Sequence, residues 1–271
     1  MESKSFFVVS DIHLGGVPRS TERAFRDFLA HVQEDGSGLL INGDLFDFWF
    51  EYRSVILSEH YRVLARLAEL VEAGIPVSFV GGNHDAWGGR FLQDEVGIQV
   101  LDGPVELDLG DRRALVVHGD GVGGGELGYR VLRRIIRNPL TVRSFRMLHP
   151  DWGNRIARIA STTDEKAGNA ELASRQRAQL LRQWATERMR ENPALELVIA
   201  GHTHIPEVME VLPGRYFANA GDWINHFSYL TLPASGGAPE LRWWPVPGEE
   251  RGKGKEERAF PPREPGQAAS G

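Results

Sequence analysis

Residues 6–10 are apolar until a closing Ser, as in a strand buried on both faces. Residues 21–33 then set Phe25, Phe28, Leu29 and Val32 at helical spacing. A second apolar run at 39–42 leaves through Gly43-Asp44. A long helix is expected over 53–73, carrying Tyr61, Leu64, Leu67, Ala68 and Val71 and ended by Gly74. A third strand at 76–80 leaves through Gly81-Gly82. Strand and helix alternating in this order predict parallel pairing with right-handed crossovers.

Shorter strands are expected near Val100, at 105–109 and at 114–117. From 121 to about 192 the β pattern gives way to a predominantly helical insertion. Strand patterning returns at 195–200, 207–212, 216–218, 229–232 and 241–246. These late, hairpin-like strands predict a second sheet packed on the first. Beyond Gly248 the chain is Gly-, Lys-, Glu- and Pro-rich, and a disordered tail is expected over 248–271. The expected organisation is a core of 1–120 and 193–247, with a cap at 121–192 between its halves.

Composition narrows the chemistry. The 271 residues are 41% hydrophobic and 25% charged, ordinary for a domain with a real core. A formal net charge of −6 gives no reason to expect nucleic-acid binding. Cysteine is absent, which removes disulfides, thiolate metal sites and cysteine nucleophiles. Histidine, carboxylate and amide donors remain, and these suit Mn, Fe, Mg or Zn. The first apolar run is shorter than the h-region of a signal peptide. No stretch approaches the roughly 18 apolar residues of a membrane span, so the expected location is cytoplasmic.

Five short blocks carry donor residues: Asp11-x-His13, Gly43-Asp44, Gly82-Asn83-His84-Asp85, His118-Gly119-Asp120 and Gly201-His202-Thr203-His204. Gly43-Asp44 or His118-Gly119-Asp120 alone would read as a turn. Two histidines flanking one residue after a strand favour a metal, and Gly82-Asn83-His84-Asp85 is the most specific block. In open α/β sheets, ligands bind beyond the carboxyl ends of the strands, where Asp11, Asp44, Asn83, His118 and His202 all fall. The expectation is a two-metal hydrolytic site. Asp44 bridges, Asp11, His13 and His204 complete one sphere, and Asn83, His118 and His202 complete the other. His84 is expected to donate a proton or hydrogen bond to substrate, with Asp85 holding its other ring nitrogen.

Around these blocks, Asp47 reads either as a carboxylate behind a ligating histidine or as a cap. Gly121 to Gly125 contains four glycines and reads mainly as a flexible entry into the insertion. Trp243 and Trp244 read as packing residues. On a helical wheel for 127–137, Leu127, Val131, Leu132, Ile135 and Ile136 share one half, while Arg130, Arg133, Arg134 and Arg137 form a stripe on the other. Arg143, Arg146, Arg155 and Arg158 follow. Such a segment is either an amphipathic lid or a surface meeting a diphosphate or anionic headgroups while admitting acyl chains.

The blocks resemble, in order, the signature of the calcineurin-like metallophosphoesterase superfamily over roughly residues 6–230. That resemblance implies an α/β fold, a four-layer α/β/β/α sandwich, with a dinuclear site often filled by Mn and phosphoester or phosphoanhydride hydrolysis. It implies the same metal ligands: Asp11, His13, Asp44, Asn83, His118, His202 and His204. A narrower resemblance, to the UDP-2,3-diacylglucosamine pyrophosphatase group of lipid A synthesis, rests on four features. These are Gly43-Asp44-Leu45-Phe46-Asp47-Phe48-Trp49, the pair Tyr129 and Arg133, Gly201-His202-Thr203-His204-Ile205-Pro206, and Gly221-Asp222-Trp223. It implies substrate contacts from Asn83, Tyr129, Arg130 and Arg133. The implied partners are a UDP-linked lipid or nucleotide and an anionic membrane surface, with no nucleic acid. Two positions depart from that group: His84 stands where its well-studied members carry Arg, and Gly125 stands where an acidic residue is expected. The alternatives are a phosphodiesterase acting on a soluble nucleotide and a non-catalytic scaffold of the same fold.

Overall fold

The computed structural model describes residues 4–52, 55–85, 90–122, 138–153, 155, 170–234 and 236–246. Tyr129, Arg130, Arg133, the rest of the 127–137 wheel, Arg158 and the tail beyond 246 lie outside the described residues.

Among the described residues, six strands form one sheet and five a second. In the first, β1 (Ser5–Val9), β2 (Gly36–Asn42), β3 (Val77–Val80) and β4 (Gln99–Leu101) pair in parallel. Helices α1 (Arg19–Asp35), α2 (Tyr61–Glu72) and the short α3 (Arg90–Asp94) connect them. The second sheet takes β5 (Val105–Leu109), β6 (Arg112–Val116), β7 (Leu197–Ala200), β8 (Glu207–Leu212) and β9 (Arg215–Asn219), in the order β5-β6-β7-β9-β8. Between β6 and β7 come α4 (Pro139–Phe145) and α5 (Ala170–Glu191).

The last two strands correct the expectation of a late, separate sheet. β10 (Ser228–Leu232) and β11 (Glu240–Trp243) return to the first sheet, β10 running antiparallel on the free edge of β1. Alternation along a strand is the same whichever sheet receives it, so the pattern did not reveal the partner.

Period-two alternation builds the layers. Phe7, Val9, Leu39, Ile41, Val77 and Phe79 face the α1–α3 layer. Val8, Leu40 and Val80 point the other way and meet Ala114, Val116, Leu197, Ile199 and Ala218 of the second sheet. Leu115, Val117, Val198 and Phe217 face outward, against Leu181, Ala185 and Met189 of α5. The result is a four-layer α/β/β/α sandwich, in which the final helix before β7 supplies the outer layer.

The helix expected from 53 begins later. A 3-10 turn at Ser58–His60 precedes α2, and Leu57 is extended with ψ 115°. The buried face of α2 is Val63, Leu64, Leu67 and Leu70, whereas Tyr61 is 54% exposed. Leu64 and Leu67 belong to the face as expected, and Ala68 and Val71 lie at its margin, partly buried against the same core. Gly74 does end the helix, at φ +85° with its N–H donating to Val71.

Candidate metal centre

The strand exits meet at one end of the two sheets. The loop after β1 runs beside the loop after β2: Asp11 N–H donates to the Gly43 carbonyl (3.1 Å), Ile12 and His13 N–H to that of Asp44 (2.9 and 3.0 Å) and Leu14 N–H to that of Leu45 (3.0 Å). Across the sheets, Gly201 N–H donates to the His118 carbonyl at 2.7 Å, and Trp223 N–H to the Asp11 carbonyl at 3.1 Å. Backbone hydrogen bonds thus tie the loops at Asp11, Asp44 and Trp223 together, and the loops at His118 and Gly201 to each other.

Among the described residues three groups of donors result, two built on the strand-exit carboxylates Asp11 and Asp44 and a third, His13, Asp47 and His84, that shares His13 with one of them. Asp11, His13 and His204 gather their ligand atoms within 4.8 Å of one another, and so do Asp44, His118 and His202. In the first, Asp11 Oδ1 lies 3.3 Å from His204 Nε2. In the second, Asp44 Oδ2 lies 3.2 Å from His118 Nε2. The same Oδ2 is 3.8 Å from His13 Nε2, so it stands between the two groups. Asp44 Oδ1 is occupied differently, accepting the His84 N–H at 3.0 Å.

The chain conformation needed for this is costly. Among the described residues, positive φ occurs at six non-glycine positions, and five are Asp11 (55°), His13 (52°), Asp44 (51°), His202 (65°) and His204 (58°). Left-handed backbone in such residues costs of order 1–3 kcal/mol each and concentrates at functional sites. The adjacent glycines make room. A Cβ on Gly82 would strike the Asp44 carboxylate, and one on Gly43 would strike the His118 ring.

Further groups aim the donors. His118 Nδ1 donates to the Asn42 carbonyl at 3.0 Å, which leaves Nε2 turned to Asp44. Asp11 Oδ2 accepts from the Ser10 hydroxyl and from His202 N–H (3.0 Å). That arrangement leaves Asp11 Oδ1 buried without a hydrogen bond, and His13 Nε2 and Asn83 Oδ1 are in the same state. Buried polar atoms are rarely left so, and an absent ion is one of the standard causes. The unpaired atoms are one carboxylate oxygen, one imidazole nitrogen and one amide oxygen, the donors a divalent first-row ion takes. The residues therefore fit a metal centre.

Charge is concentrated to match. Burial pushes the Asp44 carboxyl up, but the His118, His84 and His13 rings outweigh it and hold the group well below the usual range. Burial lowers His13, and the nearby Asp47, Asp44 and Asp11 more than reverse that, raising it to about 9. His202 goes down to about 4, through burial and then the adjacent His118. Burial and Asp44 raise Asp85 to about 6.

One sequence expectation is corrected here. Asp85 does not hold His84. Its Oδ1 accepts from Gly82 N–H (2.7 Å) and Asp44 N–H (3.3 Å), and its Oδ2 from Leu45 N–H (2.7 Å). His84 Nδ1 donates instead to the Asp47 carbonyl at 2.8 Å. The backbone N–H groups following β2 point toward Asp85, and they claim its carboxylate before a side chain can. With Nδ1 committed, His84 is left to take or give a proton at Nε2. Its ring stands edge-on to His13 with centroids 4.8 Å apart.

Asp47 faces His13, Oδ1 to Nδ1 being 3.5 Å. Trp49 is buried, stacked on Phe46 at 4.3 Å, and Trp244 packs on Phe28, whereas Trp243 is exposed. Sequence reasoning missed Ser10 and Asn42, whose only signal is a polar residue ending an apolar run. It also missed Arg177 of α5, an exposed cation whose charge reaches the His202 ring. Arg177 lies one turn before Leu181, which packs over Gly119.

The sequence profile described as calcineurin-like phosphoesterase matches residues 4–206. The chain belongs to that family. It is a metal-dependent hydrolase, and the family's chemistry calls for divalent metal ions at this centre. Such ions, when bound, supply Lewis acidity toward phosphoryl oxygens and activate water. The chain is 29% identical over 246 residues to a curated UDP-2,3-diacylglucosamine hydrolase of Porphyromonas gingivalis, covering 84% of this phosphoesterase and 94% of that protein. It is 28% identical over 231 residues to the hydrolase of the same name from Actinobacillus succinogenes, covering 84% and 95%. A solved phosphoesterase from E. coli aligns at 19% identity and a TM-score of 0.40, covering 84% of this chain and 87% of that one.

Proposed function

We propose that this phosphoesterase hydrolyses the pyrophosphate bond of UDP-2,3-diacylglucosamine or a closely similar UDP-linked lipid sugar. Water adds to one phosphorus, the P–O–P bridge breaks, and UMP and the acylated sugar 1-phosphate leave. The observation that carries the reading is similarity along nearly the whole chain to hydrolases of that name. The donor groups meeting at Asp44 Oδ2 support it.

In this reading two divalent ions are held by Asp11, His13, Asp44, Asn83, His118, His202 and His204, with Asp44 shared. Mn2+ is the assigned ion, and the same donors accept Fe, Mg or Zn. His84 serves the substrate through Nε2, and Asp85 serves the site by fixing the Asp44 loop. Asn83 contacts substrate, as do Tyr129, Arg130 and Arg133, the last three assigned from sequence alone. The insertion 121–192 is assigned as the cap over the acyl chains. Its described part exposes Leu140 (74%), Met147 (85%) and Trp152 (65%) beside Arg143. Apolar residues and a cation together fit the surface of an anionic bilayer. No described helix is long and apolar enough to cross a membrane, and peripheral attachment to the cytoplasmic face is the assigned location.

A hydrolysis panel with added Mn2+ tests this reading. The acylated UDP-sugar should release UMP with a higher kcat/KM than the deacylated one, bis-p-nitrophenyl phosphate or cyclic nucleotides. Equal rates with and without acyl chains would sink the lipid assignment, and fast turnover of a soluble nucleotide would replace it.

A further inference from the structure

His204 lies between two carboxylates. Its Nε2 is 3.3 Å from Asp11 Oδ1, and its Nδ1 is 3.8 Å from Asp222 Oδ2. Asp222 comes from the turn between β9 and β10, is fully buried, and belongs to none of the metal-donor groups. Its position is fixed with unusual thoroughness. Oδ1 accepts three consecutive backbone N–H groups, of Ile224 (2.8 Å), Asn225 (2.6 Å) and His226 (3.2 Å). Oδ2 accepts His226 Nδ1 at 2.6 Å from one side and faces His204 on the other. The neighbouring Trp223 N–H is tied to the Asp11 carbonyl at 3.1 Å, so the turn is bound to the Asp11 loop.

An imidazole that ligates through one nitrogen keeps its proton on the other, and a carboxylate facing that N–H fixes the tautomer and the ring plane. We infer that Asp222 is the positioning residue of His204, holding Nε2 toward the metal beside Asp11 and keeping the proton on Nδ1. A separation of 3.8 Å is too long for a hydrogen bond, and a small ring rotation when Nε2 takes a ligand closes it. His226 anchors the carboxylate from outside. The turn's three N–H groups hold Oδ1 and its own His226 ring holds Oδ2, so the carboxylate that faces His204 is already fixed within the turn. The inference rests on the proposed metal centre and adds a residue to it.

Calorimetric titration of chelator-stripped protein with Mn2+ alone tests it. In Asp222→Asn an oxygen remains for the turn, while an NH2 replaces the acceptor that faces the two rings. One Mn2+ step should weaken about 10–100-fold, with the other step unchanged. Unaltered binding in a folded Asp222→Asn protein overturns the inference while the metal centre stands. Wild-type protein that takes up no Mn2+ overturns both.

A second measurement needs no variant. In Zn2+-loaded, 15N-histidine-labelled wild-type protein, His204 should show a protonated Nδ1 and a metal-shifted Nε2. The reverse assignment overturns the inference.

Discussion

Asp85 Oδ2 accepts the backbone N–H of Leu45 at 2.7 Å, and through that contact one loop holds the shape of another. Its other oxygen takes the N–H of Gly82 and of Asp44, so one buried carboxylate ties the Asn83 loop to the backbone of the central Asp. Asp85→Ala should therefore act on both folding and metal content. Each buried N–H left without an acceptor costs about 1–3 kcal/mol, so denaturant unfolding should show a loss of at least that size. Metal analysis should show fewer ions retained. A variant of normal stability and metal content with only kcat reduced would mean that Asp85 acts through His84, as its place in the sequence suggests.

The His84 ring is tied through Nδ1 to the Asp47 carbonyl, so the role proposed for it with substrate falls to Nε2. His84→Gln should lower kcat by roughly 10²–10⁴-fold, the usual size of a proton-transfer contribution. Metal content should stay at the wild-type value, because the His84 N–H to Asp44 is a backbone group. Loss of metal in this variant would show the ring to be a ligand.

Metal uptake should release protons. Without a metal, the carboxylates around His13 hold its pKa at about 9, so the ring carries a proton at pH 7. A ligating imidazole must be neutral. The apparent affinity for Mn2+ should therefore rise with pH up to about 9. Titrations at pH 7 in buffers of different ionisation heat should show at least one proton released. An affinity independent of pH between 6 and 8 would contradict the charge arrangement around His13.

The sequence disclosed much of this, and the gaps have physical causes. The unbroken apolar run through Phe7, Val8 and Val9 was enough to read β1 as a strand buried on both faces. The donors were legible because most sit beside a glycine just past a strand, as Asp44 does at Gly43 and Asn83 at Gly82, where neighbours need the glycine small. The destination of β10 was not legible, since pairing with β1 is decided by a free edge and not by the strand's own pattern. The partner of Asp85 was inferred from adjacency in sequence, while two of its three real partners, the N–H groups of Asp44 and Leu45, lie 41 and 40 residues away on a backbone that only the folded loop presents. The positive φ values at Asp11, His13, Asp44, His202 and His204 are equally invisible: Asp and His tolerate that conformation better than most non-glycine residues, but nothing local marks which of them adopts it. They are imposed by the tertiary contacts that bring the loops together.

The central claim is that two ions share Asp44, and electron paramagnetic resonance of the Mn2+-loaded protein tests it most directly. Asp44 Oδ2 stands between His13 of one donor group and His118 of the other, so ions in the two groups should be magnetically coupled through that carboxylate. The wild-type protein should bind two Mn2+ and give the closely spaced multiline spectrum of a coupled pair. Asp44→Ala should lose that spectrum together with most of its metal. One ion per chain in the wild type, or two ions giving uncoupled single-ion spectra, would contradict the account.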